Sequence, residues 1–456
     1  MRKNILKVML FACLGISMIS CNNLLDVDPQ DALDTEKVYS SVSNFEKGVL
    51  GSYSLYSPEY SVLIGSIMAD ECRLNPRNNG VNGFGNLLSR WEYTSEDDIL
   101  LKAWKNYYAD IYSINLLLEN AGKVPVRNEQ ERSKKKSLIA ELYGLRAMIH
   151  FELHRNFGAS DADGNEALTI PYITDTDVNK KPGKISLSKF YEYIWLDLER
   201  TKDIDETVDF RMNKNAVTAL EARVALYQKN YIVALAKSTQ IINQFPLSDL
   251  SQYENIWKDK SPSEVIFRLK RSNDNKLRPN TLWEDYAAGR KFFQPSYKLM
   301  NSYTDSDIRL SNFNFNKDEN TEEEFINKYP GNDFNDRVND VKVFRVSEMY
   351  LIRAEANFFL NRKDAALQDI HELRKHRISN SAELNTIDLN IILNERYLEL
   401  SYEGHRYYDL KRLKLPVKRL EKDLAAEGDQ KDLNSNDKAY ILPVPLKETI
   451  VNPNLK

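Results

Sequence analysis

Residues 215–246 read NAVTALEARVALYQKNYIVALAKSTQIINQFP. Apolar side chains recur at helical spacing on both sides of a polar break, Gln228-Lys229-Asn230. Ala222 and Ala234 stand twelve residues apart, and Pro246 follows twelve later. A small residue on each of two antiparallel helices lets their backbones approach closely. A proline then ends the second helix, because its ring cannot continue the hydrogen-bond ladder. The same twelve-residue step returns at Ala354 and Ala366 within residues 348–374, EMYLIRAEANFFLNRKDAALQDIHELR. There Met349, Ile352, Ala356 and Phe359 form the stripe that the first helix is expected to bury.

This spacing is that of tetratricopeptide pairs. Two pairs about 130 residues apart are not a tandem array. They read as parts of one helical scaffold interrupted by an insertion.

Outward from these pairs, more helices are legible. Leu100–Asn120 carries Trp104, Tyr107, Tyr108, Ile111, Ile114, Leu117 and Leu118 at helical spacing. Ser133–Phe157 does the same with Ile139, Leu142, Leu145, Ile149 and Leu153, and Gly158 is expected to end it as a left-handed cap. A first helix is expected near Thr35–Tyr53, with Asp34 as its N-cap. The insertion, residues 247–342, is rich in Asn and Asp, as in SNDNKLRPN and PGNDFNDRVND, which are turn formers. One strand candidate lies in it, Glu264–Leu269. The expected fold is mainly α: tetratricopeptide-like helix pairs forming a scaffold, with a loop-rich insertion and few short strands. Residues 35–456 read as one domain, its scaffold at 35–246 and 343–456.

The N-terminus carries a different message. Arg2, Lys3 and Lys7 precede an uncharged run, Val8 to Ile19, and then Met18-Ile19-Ser20-Cys21. A positive start, an apolar middle and a small residue at the cut make an export signal, residues 1–20. The run is about 12 residues, short of the roughly 20 needed to span a bilayer. Apolar, apolar, small, Cys resembles the lipobox of bacterial lipoproteins, with Met18 where Leu is usual. That resemblance implies acylation of Cys21 and a tether at residues 21–34.

Composition narrows the rest. Loss of Arg2, Lys3 and Lys7 takes the formal charge from −4 to −7. A mildly acidic chain with no basic block is a poor nucleic-acid binder. Of three cysteines, Cys13 leaves with the signal and Cys21 is expected to carry lipid. Cys72 alone remains, so no intramolecular disulfide framework is possible and the fold must rest on its core.

Several stretches together resemble the SusD/RagB family. After the lipobox comes Leu24-Leu25-Asp26-Val27-Asp28-Pro29, similar to the family's lead-in. Trp104 to Asn120, and Leu145-Arg146-Ala147 through Asn156-Phe157-Gly158, look like two of its helices. Arg345 to Ala356, RVSEMYLIRAEA, resembles its most recognisable stretch. Glu395-Arg396, Glu399-Leu400, Glu403-Gly404-His405-Arg406 and Asp409 to Arg412 resemble the helix near its C-terminus. Leu442-Pro443-Val444-Pro445 and Asn452-Pro453 resemble its ending. The resemblance implies a lipid-anchored outer-membrane protein facing the cell exterior, which binds an oligosaccharide, or a peptide in some members. It also implies a partner, a SusC-like TonB-dependent transporter over which the lipoprotein acts as a lid. No catalysis and no cofactor are implied.

The residues give little reason to expect chemistry. Glu348, Glu355, Glu395, Arg396, Glu399 and Arg406 are dense charge on helices, expected to be ion pairs between them. His150 and His154 share a helix face, but the order His-Phe-Glu-Leu-His lacks the Glu of a zinc protease. Asp161, Asp163 and Asn165, and again Asp175, Asp177 and Asn179, alternate like calcium ligands but lack the Gly and Glu of the EF-hand loop. Gly83-Phe84-Gly85 starts like a dinucleotide loop, with Leu88 where the third Gly belongs. No metal site is expected, and Cys72 is expected to be buried and inert.

A sugar site needs aromatic faces and hydroxyl partners. Trp104 and Trp195 fall on helical stripes and are expected in the core, whereas Trp257 is ambiguous. Trp91 follows the polar loop NPRNNGVNGFGN, and Trp283 lies in RPNTLWEDYAAGR with Tyr286 three residues on. Trp91, Trp283 and Tyr286 are therefore the candidate ligand aromatics, with Arg77, Asn78, Asn79 and Asp285 as polar partners. Two rivals stand beside this reading. A surface glycoside hydrolase needs two carboxyls facing across a cleft, about 5–10 Å apart. A peptide-binding scaffold needs an exposed concave helical face.

Overall fold

The computed structural model describes residues 35–78, 80, 82–205, 210–318, 321–332 and 338–456. Cys21, the tether 21–34, Asp34 and Asn79 lie outside the described residues.

The quoted stretch forms two helices, Lys214–Tyr227 and Tyr231–Ile242. Lys229 takes a left-handed φ of 60° between them, and the Asn230 side chain caps the second. Ala222 and Ala234 have no solvent exposure, as the close approach of two backbones requires. The second pair is Val346–Phe359 and Lys363–Lys375, again with buried Ala354 and Ala366 and a left-handed residue, Asn361, at the turn.

The pairs are neighbours in space. Helix Tyr231–Ile242 packs along Val346–Phe359, so four helices form a continuous layer although the insertion separates them in sequence. Tyr231 stacks on Phe359 at the seam, with ring centroids 4.5 Å apart and planes 11° from parallel. A second helical layer consists of Val42–Leu55, Asp98–Asn120, Glu129–Phe157 and Leu187–Glu199. Trp104 is buried there; Trp195 is only half-buried, its indole N–H donating to Gln228 at 2.8 Å.

Two helix ends differ from the sequence expectation. The helix near Thr35–Tyr53 is broken: Thr35–Val38 stops, and Val42–Leu55 starts anew because the extended Ser41 accepts the Asn44 N–H on its hydroxyl. Gly158 is not a left-handed cap; its φ is −78° and its ψ 170°. Glycine is required there for space, since a Cβ would collide with His154 and Thr169.

The described strands form six two-stranded antiparallel sheets. Val265–Leu269 is the expected strand, and it pairs with Val341–Arg345. This sheet feeds the chain directly into helix Val346–Phe359. Cys72–Leu74 pairs with Phe293–Pro295, which ties the insertion to the N-terminal half.

The dense charge is buried between these parts. Arg223 is gripped by Glu348, Arg412 by Glu355 and Asp409, and Arg396 by Asp409. Arg309 reaches Glu395 and Glu399, and Arg406 reaches Asp70. Removing charges from water costs several kcal/mol per ion, which only close, multiply hydrogen-bonded pairing offsets. Trp257, ambiguous in sequence, is 2% exposed, with Lys328 and Arg345 over its ring at 4.3 and 4.9 Å.

Candidate ligand-binding site

A short hairpin, Glu284–Asp285 against Arg290–Lys291, projects from the insertion. Gly289 sits at φ 62° in its turn, where a glycine has no Cβ penalty. Asp285 pins the turn by accepting the Ala288 N–H at 3.1 Å and Arg290 at 3.2 Å. The Ala288 N–H and the Arg290 guanidinium hold its carboxyl below the usual range.

The hairpin is preceded by a 3-10 turn, Pro279–Leu282, with Pro279 at its first position. There the missing N–H costs nothing and the ring presets φ. Leu282 and Trp283 anchor it from below. Trp283 is 3% exposed and meets Tyr402 edge-on at 5.4 Å. The other side of the site comes from the Gly83-Phe84-Gly85 loop. Asn78 fastens it: its amide donates to the Phe84 and Phe292 carbonyls at 2.9 and 3.2 Å and accepts the Phe84 N–H at 2.9 Å. A Cβ on Gly83 would collide with the Asn78 carbonyl, and Gly85 has a left-handed φ of 64°. These glycines shape a loop that delivers Phe84 onto Phe292, centroids 4.7 Å apart.

Between the loop and the hairpin lies a cleft of about 440 Å³. Phe84, Phe292 and Leu277 make its apolar lining, and Tyr286, 65% exposed, stands at its side. Lys276, Arg278, Asn280, Thr281, Glu284 and Asp285 supply polar groups. Asn280 is the informative one. It is 6% exposed, yet neither its amide nitrogen nor its carbonyl oxygen has a hydrogen-bond partner. A buried polar group left so costs about 1–3 kcal/mol.

Of the candidate residues, Tyr286 and Asp285 line this cleft. Trp91 and Trp283 do not; both are core residues, which corrects the sequence expectation. Trp91 is 5% exposed, donates its indole N–H to the Met68 carbonyl at 3.0 Å, and lies under the Arg419 guanidinium at 4.0 Å. Polar stretches flank both tryptophans in sequence, but the large rings are used for packing. Asn78 is likewise corrected from ligand partner to loop fastener, and Arg77 is exposed but outside the cleft lining. Phe84, Phe292, Asn280 and Arg278 also line the cleft and were not singled out in the sequence. Arg278-Pro279-Asn280 carried a faint signal, a proline-initiated turn beside an aromatic run.

The other constellations are structural. His150 stacks on Tyr172 at 3.7 Å, and burial lowers its pKa to about 3. His154 bonds Thr169 and Asp161, while Asp163 meets Lys414 and Asp175 meets Lys180. Among the described residues, no group of three or more His, Cys, Asp or Glu side chains could hold a metal ion. Cys72 is buried, and burial pushes its thiol pKa well up. Glu284 and Asp285 are consecutive on one strand rather than opposed across the cleft. No described helix is long and apolar enough to cross a membrane.

Comparison with known proteins agrees from both ends of the chain. Residues 331–456 match the model described as SusD family, and residues 25–226 match one described as starch-binding associating with outer membrane. Together these span more than two thirds of the chain. SusD-like protein P25 of Formosa agariphila is 24% identical, over 98% of this chain and 97% of its own length. P38 of the same organism is 22% identical, over 90% and 91%. A solved SusD superfamily structure from Bacteroides thetaiotaomicron superposes with a TM-score of 0.81 at 22% identity, covering 91% of this chain and 99% of that one. A putative sugar binding protein from Bacteroides vulgatus gives 0.78 at 24% identity, covering 91% and 98%.

Proposed function

Because the chain belongs to the SusD family, we propose that it captures an oligosaccharide in the cleft between the Phe84 loop and the 284–291 hairpin. The cleft has both halves of what a sugar requires. The C–H face of a pyranose packs on Phe84, Phe292 and Tyr286, while ring hydroxyls meet Asn280, Thr281 and Asp285. The observation that carries the reading is Asn280, a buried amide with both polar atoms unsatisfied at an aromatic wall.

In this reading Cys21 carries the acyl chains that hold the protein at the outer membrane, and residues 22–34 form the tether. More than one chain is needed for stable anchoring, since a single one binds only marginally. The bound glycan passes to a SusC-like TonB-dependent transporter, which supplies the energy. The described residues contribute a grasping surface, and the buried carboxylates of Glu264, Glu348, Glu355, Glu399 and Asp409 are held by arginines.

Calorimetry of the chain lacking residues 1–21, against panels of oligosaccharides and peptides, tests the proposal. Binding of a glycan that Asn280→Ala weakens by about tenfold supports it, that being the loss of one or two hydrogen bonds. Peptide binding with no glycan binding, or turnover of a glycan by the purified chain, would sink it. Release of a Cys21→Ala variant from the membrane fraction checks the anchor.

A further inference from the structure

We infer that the ligand of this cleft carries an anionic group, a uronic acid carboxylate or a sulfate ester, seated against Arg278. The inference rests on the glycan-binding reading and adds the charge of the glycan.

The cleft holds cationic groups that no carboxylate among the described residues neutralises. Arg278 is half-buried in its wall. One guanidinium nitrogen donates to the Asn273 carbonyl at 3.1 Å, and Nε is buried without a partner. Among the described residues no carboxylate pairs with Arg278 or with the exposed Lys276 on the same lining. Both acids on the lining are engaged: Asp285 is held by Arg290 and the Ala288 N–H, and Glu284 has a partner of its own. This contrasts with the buried Arg223, Arg309, Arg345, Arg377 and Arg412, which all meet carboxylates.

A guanidinium presents parallel N–H donors in one plane, the geometry that fits the two oxygens of a carboxylate or a sulfate. A neutral hydroxyl accepts from that fork once and carries no counter-charge. Asn280, two residues away on the same turn, is placed to read the hydroxyl beside the anion. The Phe84–Phe292 pair then takes the face of the ring that bears it.

Three probes of similar length separate the possibilities in calorimetry on the chain lacking residues 1–21: maltohexaose, hexagalacturonate and a sulfated galactan hexasaccharide. An anionic probe is expected to bind at least about tenfold tighter than maltohexaose. Its affinity is expected to fall as NaCl rises from about 0.05 to about 0.5 M. The two anionic arms tell carboxylate from sulfate. In Arg278→Gln the ratio of anionic to neutral affinity is expected to approach one, with an unchanged melting temperature. Should that variant fold poorly, the exposed Lys276→Gln must lower the ratio by itself. Maltohexaose binding as tightly as both anionic probes overturns the inference and leaves the glycan reading standing. Binding of no glycan at all ends both, as does an acidic peptide preferred to every glycan.

Discussion

Glu399 accepts two hydrogen bonds from Arg377, Nε to Oε2 at 2.9 Å and a terminal nitrogen to Oε1 at 3.0 Å, and neither side chain has any solvent exposure. Arg345 and Arg309 reach the same carboxylate at 3.0 and 3.3 Å. Burial alone would raise the Glu399 pKa, but Arg377, Arg345 and Arg309 outweigh it and hold the group well below the carboxylate range. One carboxylate at the end of helix Leu389–Glu399 thus neutralises arginines from three other segments of the chain.

Glu399→Ala is expected to destabilise the fold by about 3–5 kcal/mol, because three buried guanidinium groups lose a shared counter-charge. The shift of the urea midpoint measures it. A loss under about 1 kcal/mol would show that Glu264, Glu395 and Glu403 suffice without it.

His150 makes stability depend on acid. Its Nε2 accepts the Ile173 N–H at 2.9 Å, while Nδ1 faces the Arg146 carbonyl at 2.9 Å, so the neutral Nδ1–H form is the one that fits. Burial lowers its pKa from 6.5 to about 3. Between those values the unfolded chain binds a proton that the folded one refuses. Its contribution is therefore intact above pH 6.5 and is lost as pH falls toward 3, at up to about 1.4 kcal/mol per unit. Unfolding curves of His150→Gln should be flatter than those of the parent between these limits. Equal slopes would reject the assignment.

Gly158→Ala tests a glycine needed for space rather than for φ. The added methyl meets the His154 ring and the Thr169 hydroxyl, which bond each other at 2.8 Å. A loss of about 1–3 kcal/mol is expected, the usual cost of forcing an atom into a packed site. An unchanged melting temperature would mean that the ring and hydroxyl move aside freely.

Trp91→Ala and Phe84→Ala should separate core from cleft. Trp91→Ala is expected to cost about 3–5 kcal/mol of stability, as for a large buried aromatic. Phe84→Ala, in a loop, is expected to lower ligand affinity by about tenfold with a smaller change in melting temperature. Equal stability losses with no change in binding would remove the proposed wall.

Cys72 gives a simple probe of native packing. Burial pushes its thiol pKa well up, so little thiolate forms at neutral pH. Reaction with a thiol reagent should be negligible in buffer and rapid in urea. Fast labelling in buffer would place the Cys72–Pro295 strand pair in an opening segment.

Helix periodicity, the small-residue steps at Ala222/Ala234 and Ala354/Ala366, the strand at Val265–Leu269 and the structural use of the charged helices were all legible in the residue order. Each depends on neighbours within a few turns, or on composition that admits one economical arrangement. The proposed cleft was legible only in part. Tyr286 and Asp285 lie on the hairpin formed within RPNTLWEDYAAGR, but Trp91 and Trp283 are buried. Which way a ring faces depends on where Met68, Arg419 and Tyr402 arrive, and those residues are remote in sequence. Phe84 meets Phe292 only because Asn78 ties two segments more than 200 residues apart. Local order set the helices and their pairing surfaces. The choice between buried tryptophan and open phenylalanine waited on long-range packing, since burial is a property of the assembled volume and not of the chain.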